Sequence, residues 1–326
     1  MNFELDDDQR AAAAGARAFF TGSASAADAR RALDGAPVAP GRAALAGIGF
    51  LGITVPEAAG GAGSSVLDLA VVAEQAGAVL AGPSLGTAAR AAVLLADHPD
   101  LLAALADGST AFAVLDGAGP AIDAAGADTF LALEDGALVL GPGEVSTGIP
   151  MDATRGLGSV RLTSRRVLAE DAGARWARAR SVAQVVLAAE DLGAAGRAVQ
   201  LGVEYAQVRT AFGRRIGSYQ AVKHALVDAW VGVEQLRSLV WWAAWAADAA
   251  TTELPLAAAA AKAFAAETLE RAAGTCIQVH GGIGFTWEHD AHLYWRRAKV
   301  DRFLLGDEAE HLDAVAELVL AGALSR

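Results

Sequence analysis

Arg209-Thr210-Ala211-Phe212-Gly213-Arg214-Arg215-Ile216-Gly217-Ser218-Tyr219-Gln220 is the stretch from which the fold is read. It sets a glycine-bearing turn and three arginines between two long apolar-periodic segments. One runs from Ala174 to about Val208. The other covers Tyr219 to Ala250, with Leu226, Trp230, Val233, Leu236, Val240 and Trp241 on one predicted stripe. Such a turn beside a helix N-terminus suits an anionic group, because free backbone N–H groups and guanidinium forks both bind phosphate. It serves equally as a helix–helix loop with solvated basic residues, and the residues alone leave both readings open.

Working outward, a third helical segment covers Leu256 to Val279 and a fourth runs from Asp307 to the end, so four long helices are expected to pack as an antiparallel bundle. A second joint, Gln278-Val279-His280-Gly281-Gly282-Ile283-Gly284-Phe285-Thr286, ends the third helix; its glycines permit positive φ and close backbone approach, although helix C-caps use glycine routinely. His280 either assists a ligand contact there or caps the helix. Trp241, Trp242 and Trp245, at helical spacing in an apolar helix, point to core or interface packing rather than an aromatic ligand box. Toward the N-terminus, apolar residues from Asp6 to Gly108 recur at three- and four-residue spacing. Asp6-Asp7-Asp8 can cap the first helix, Pro56 and Gly60-Gly61-Ala62-Gly63 interrupt the pattern, and Ser65 opens a helix through Gln75. Between these zones, Ala111–Leu115, Thr129–Leu133, Ala137–Leu140 and Ser159–Leu162 read as strands separated by Gly/Pro/Asp turns, a small and mostly antiparallel unit. The expected division is 1–110 helical, 111–172 β and 173–326 four-helix bundle: a mainly α protein with a small β domain.

The 326 residues are 54% hydrophobic and carry a formal net charge of -12. That length can bury a core, the apolar content excludes a disordered chain, and the lone Cys276 excludes a disulfide scaffold. Acidity argues against nucleic acid and anionic membrane surfaces. The most apolar long stretch, Ser181 to Val203, is broken by Glu190, Asp191 and Arg197, so no membrane span is expected. The acidic opening MNFELDDDQR lacks the order of a signal peptide, which predicts a cytoplasmic protein. Glu308-x-x-His311 and the pair His289 and His292 have metal-ligand spacing, but without further partners they are expected on the surface, and no metal is expected.

Together the two joints resemble the acyl-CoA dehydrogenase family, in which an R-x-x-F-G stretch followed by a glutamine, and a Q-x-x-G-G-x-G stretch, contact FAD bound in the neighbouring subunit. Arg209, Phe212, Gly213 and Gln220 match the first; Gln278, Val279, Gly281 and Gly282 match the second, with Gly284 at its end. The likeness extends to FELDDDQR as the first helix, to Leu45–Gly63 as an L-G-x-x-V-P-E-x-x-G-G-x-G segment, and to Asp191-Leu192-Gly193-Ala194-Ala195 as a small-residue patch. The resemblance implies an N-terminal helical domain, a middle β domain, a C-terminal four-helix bundle and FAD as cofactor.

Two departures qualify what it implies. The T-E-P-x-x-G-S-D and W-I-T-N stretches, which line the flavin ring and acyl-CoA in members holding their own flavin, are missing; the chain passes from Asp116 through an Ala/Gly-rich turn almost directly to Asp128. Dehydrogenation of a thioester also needs a carboxylate aimed at Cα. The family's two positions for that base fall on Leu305, after Arg296-Arg297-Ala298-Lys299, and near Ala183, and neither side chain accepts a proton. Asp307, Glu308 and Glu190 could substitute, but each is better explained as a rim or capping residue. The combination resembles the shortened subunit of heteromeric actinobacterial acyl-CoA dehydrogenases. That resemblance implies a larger partner chain in an α2β2 tetramer, which supplies the glutamate and the rest of the flavin pocket for an acyl-CoA thioester, with steroid side-chain breakdown as one setting. The alternatives are a self-sufficient homo-oligomeric flavoenzyme of altered chemistry and a non-flavin scaffold protein.

Overall fold

The structure, a computed structural model, describes residues 4–117 and 119–324. Phe3 of the opening helix motif, Ala118 of the Ala/Gly turn and the last two residues of the fourth expected helix lie outside the described residues. Six helices come first: α1 (Asp7–Ser23), α2 (Ala26–Leu33), α3 (Arg42–Gly47), α4 (Val66–Ala78), α5 (Leu85–Leu94) and α6 (Pro99–Ala106). Local chemistry sets their starts. Asp6 and Gln9 form a capping box at α1, with the Asp6 carboxylate accepting from the Gln9 N–H at 2.8 Å, and Ser65 and Asp68 form another at α4.

Six strands follow: β1 (Phe112–Leu115), β2 (Thr129–Glu134), β3 (Ala137–Gly141), β4 (Gly143–Ser146), β5 (Ser159–Leu162) and β6 (Arg166–Ala169). They make a four-stranded sheet in the order β1-β2-β3-β6 and a separate β4-β5 ribbon. The expected antiparallel pattern holds for β2-β3, β3-β6 and β4-β5, while β1 and β2 run parallel. β4 and β6 are additions to the expected strands; both are short, and neither contains a fully buried residue that would mark an inward face.

The remainder is α7 (Gly173–Val208), a two-stranded hairpin of β7 (Thr210–Ala211) and β8 (Arg214–Arg215), α8 (Gln220–Ala249), α9 (Leu254–His280), α10 (Ala291–Asp301) and α11 (Glu308–Leu324). The four expected long helices are α7, α8, α9 and α11; α10 is an addition, packed on α7 and α9. It escapes pattern reading because its inner face mixes the fully buried Arg297 and Asp301 with the buried Ala291, Leu293, Tyr294 and Ala298. α7 is buried on every side from Val182 to Ala195, since α4 and α5 cover the face that α8 and α9 do not. One hydrophobic core therefore runs from Phe20 in α1 through Leu85 in α5 to Leu269 in α9. The expected α8 stripe needs one correction. Leu226, Val233, Leu236 and Val240 are buried, but Trp230 is 49% exposed, because its neighbour Ala229 takes the inward position. Trp241, Trp242 and Trp245 pack part-buried against the core, as packing residues.

Candidate functional site

The first joint is a tight turn. Phe212 (φ +50°) and Gly213 (φ +78°) occupy the left-handed region in succession, the geometry a two-residue hairpin demands. The Tyr219 hydroxyl donates to the Ala211 carbonyl at 3.0 Å, and the Arg214 guanidinium lies 4.0 Å from the Tyr219 ring centroid, bracing the hairpin from behind. Phe212 is left 97% exposed at the tip. The second joint lies at the same end of the bundle. Tyr205, near the end of α7, stacks on His280, the last residue of α9, at 4.3 Å, and His289 covers the other side at 4.0 Å. His280 is buried, with Nδ1 2.7 Å from the Cys276 carbonyl oxygen, so the stack splices the two joints together.

At this end Arg209, Gln220 and Gln278 are exposed, and among the described residues their side chains have no hydrogen-bond or ion-pair partner in the chain. Gly281 (φ +64°) and Gly282 are exposed too, and an added Cβ would meet nothing within 4 Å at either. Gly284 differs: a Cβ there would sit 2.9 Å from the Ile277 carbonyl, so packing explains that glycine. A guanidinium, two amides and open glycine backbone facing outward suit the phosphate and adenosine end of a dinucleotide presented by another surface. Val279 lies half-buried between Gln278 and His280 and offers backbone only.

Away from the joints, a cavity of about 610 Å³ opens among α5, α7, the end of β1 and the turn linking α10 to α11. Ala183 and Leu305 both line it. Residues 122 positions apart in sequence thus converge on one space, and both face it with hydrocarbon. Leu305 has φ +59°, and its carbonyl accepts from the Arg180 guanidinium at 3.0 Å and the Gln184 amide at 3.1 Å. The carboxylates on the wall are engaged. Asp116 takes a bidentate bond from Arg90, Glu310 pairs with Arg180 at 2.7 Å, and Asp307 caps α11 by accepting from the Glu310 N–H at 2.9 Å. Glu308 is not on this wall; its carboxylate lies 3.8 Å from Arg302.

Behind the cavity lies a buried ionic cluster that sequence reading did not anticipate. Arg155, in the segment before β5, donates through Nε to Asp301 at 2.8 Å and pairs through its two terminal nitrogens with Glu190 and Asp301. Glu190 also accepts from the Ser84 hydroxyl at 2.9 Å and the Leu85 N–H at 3.0 Å. Clamped by three donors, it is a structural anion rather than a free base. Burial would raise Asp301, but the Arg155 and Arg297 guanidiniums hold it at about 2. The sequence signal was present: Asp152-x-Thr154-Arg155 follows Pro150 in an otherwise apolar and glycine-rich run, and Arg297 reaches back to Asp152.

The histidines depart from their expected surface positions. His311 is buried under α9, and burial, with Lys262 nearby, pushes its imidazole down to about 4. His289 and His292 are half-buried, the first beneath His280 and the second edge-on to Trp287 at 5.0 Å. Among the described residues no group of three or more His, Cys, Asp or Glu side chains could hold a metal ion, and no helix is long and apolar enough to cross a membrane.

Comparison with known proteins places this geometry. Residues 6–99 match the acyl-CoA dehydrogenase N-terminal domain and residues 173–320 the C-terminal domain. The chain is 38% identical over 273 residues to the acyl-CoA dehydrogenase IpdE2 of Mycobacterium tuberculosis, covering 81% of each. It is 39% identical over 306 residues to acyl-CoA dehydrogenase FadE34 of the same organism, covering 87% of this chain but 42% of that relative. Among solved structures it superposes on a chain of the ChsE4–ChsE5 complex from Mycobacterium tuberculosis with a TM-score of 0.85 at 25% identity, covering 98% of this chain and 99% of that one. It also superposes on a chain of the Tcur3481–Tcur3483 steroid ACAD, with a TM-score of 0.83 at 27% identity, covering 98% and 99%. With both terminal family domains matched in order, and with a relative 38% identical over 81% of each chain, the chain belongs to the acyl-CoA dehydrogenase family.

Proposed function

We propose that this protein is the shorter subunit of a heteromeric FAD-dependent acyl-CoA dehydrogenase. It lends the adenosine and pyrophosphate contacts of FAD to a larger partner that carries the catalytic glutamate. FAD, when bound, takes up the hydride lost from Cβ of the acyl thioester. This chain's part is to hold the nucleotide end: Arg209 offsets pyrophosphate charge, Phe212 and Gly213 shape the tip, and Gln220 with the Gln278–Gly282 backbone supplies hydrogen bonds.

The carrying observation is the cavity at Ala183 and Leu305. A proton at Cα must pass to a base within hydrogen-bond reach, and at both family positions this wall offers only a methyl or isobutyl group. The unpartnered side chains of Arg209, Gln220 and Gln278 at the two joints favour a role across an interface. The two-chain ChsE4–ChsE5 complex supports the partner reading. So does FadE34, where more than half of the polypeptide lies outside the match. The steroid acid thioester implied by the name of the Tcur3481–Tcur3483 enzyme is the substrate class to test first.

The experiment is expression of this chain alone and together with a larger homologue from the same genome, followed by flavin quantitation and acyl-CoA oxidation. The expected result is a colourless, inactive chain alone and a yellow, active complex. Stoichiometric FAD and turnover by the isolated chain would overturn the proposal.

A further inference from the structure

We infer that Asp191 carries a proton at neutral pH and donates it to the Asp301 carboxylate, so that a proton-sharing acid pair sits at the centre of the buried clasp. The clasp joins three parts of the fold. Arg155 enters from the segment before β5, Ser84 from the start of α5, Glu190 and Asp191 from α7, Lys262 from α9, and Arg297 and Asp301 from α10.

Asp191 is fully buried, and neither of its carboxylate oxygens has a donor. A bare carboxylate so placed would bear an uncompensated desolvation cost. Among the described residues no cation forms an ion pair with Asp191, although Arg297 Nη1 is left without a hydrogen-bond partner. Arg155 is spent on Glu190 and Asp301, Arg297 on Asp152, and the Lys262 ammonium donates to the Asp301 backbone carbonyl at 2.9 Å. The side chain facing Asp191 within hydrogen-bonding reach is that of Asp301, itself an acceptor from Arg155. Two carboxylates cannot bond each other unless one holds a proton. Among the side chains at the centre of the clasp, three cations (Arg155, Lys262, Arg297) stand against four acids (Asp152, Glu190, Asp191, Asp301), and a proton on Asp191 leaves three of each; Asp123 at the margin accepts from the Ser84 N–H, and burial pushes its carboxyl up to about 7. Asp301, held by two guanidiniums, is the member that stays ionised. Burial first, then the Asp301 charge, pushes Asp191 well above the usual carboxylate range, with Lys262 and Arg155 opposing.

The pair makes the clasp sensitive to alkali. The unfolded chain releases the Asp191 proton near pH 4 and the folded chain keeps it, so this group's contribution to stability is largest in acid and declines as pH rises toward the folded value. The test compares urea unfolding of wild type and Asp191→Asn, a neutral isostere, between about pH 5 and about pH 7. The unfolding constant of wild type relative to the variant should rise about tenfold per pH unit. Infrared spectra of the wild type should show the carbonyl stretch of a buried protonated acid, lost in the variant. A ratio that does not change with pH, absence of the acid band from wild type, or a variant that cannot fold at about pH 6 would each overturn the inference.

Discussion

Leu305 is held in a left-handed turn that presents its isobutyl group to the cavity. A left-handed conformation costs an ordinary L-residue roughly 1–2 kcal/mol, and here two donors from α7 onto the Leu305 carbonyl hold it. That side chain carries no proton acceptor. His311 yields a pH prediction. Its imidazole lies at about 4 when folded, against the ordinary 6.5. The unfolded chain therefore binds the extra proton first, and this group's contribution is lost as pH falls from above 6.5 through about 4. The urea midpoint of wild type should drop more between about pH 7.5 and about pH 5 than that of His311→Leu; equal drops would assign the acid sensitivity to other groups. Leu305 and Ala183 stand as base positions only through the family resemblance; that both line one cavity is the structure's addition. The burial of His311 and Glu190 was not legible, because a charged or polar letter is solvated by default and only a partner distant in sequence makes burial affordable.

The helices were legible where periodicity and caps agreed, as at α4, where Ser65 and Asp68 close a capping box. Small-residue contacts were harder to read. Asp191–Ala195 was recognisable as a small-residue patch, but its purpose appears only in the α4–α7 crossing. A Cβ on Gly193 would stand 1.8 Å from the Glu74 carbonyl, and one on Gly77 1.8 Å from that of Glu190. The helices touch backbone to backbone, so neither can yield alone. Gly193→Ala should therefore destabilise at or beyond the upper end of the roughly 1–3 kcal/mol typical of overpacking, seen as a lower urea midpoint. A midpoint within error of wild type would mean that the crossing opens without cost. α10 stayed hidden for a different reason: its buried face sets Arg297 and Asp301 among Leu293, Tyr294 and Ala298, and the charged residues interrupt the hydrophobic pattern.

For the assembled protein, the proposal places affinity for the nucleotide on this chain and chemistry on its partner, and the two separate by mutation. Arg209→Ala removes a charge-assisted contact worth about 1.5–3 kcal/mol. FAD retention by the co-expressed complex should fall about 10- to 100-fold, with turnover per bound flavin unchanged. A fall in turnover at full flavin occupancy would move Arg209 to the reacting end. By itself the sequence determined the helical–β–helical order and the family, because capping, periodicity and motif spacing are local properties that survive without knowledge of contacts. Only the tertiary structure decided that Ala183 and Leu305 share one cavity, that Tyr205 and His280 bring the two joints together, and that Arg155, Asp191 and Asp301 meet in the interior. The energy of a buried charge depends on which distant groups surround it, and no short stretch of sequence carries that information.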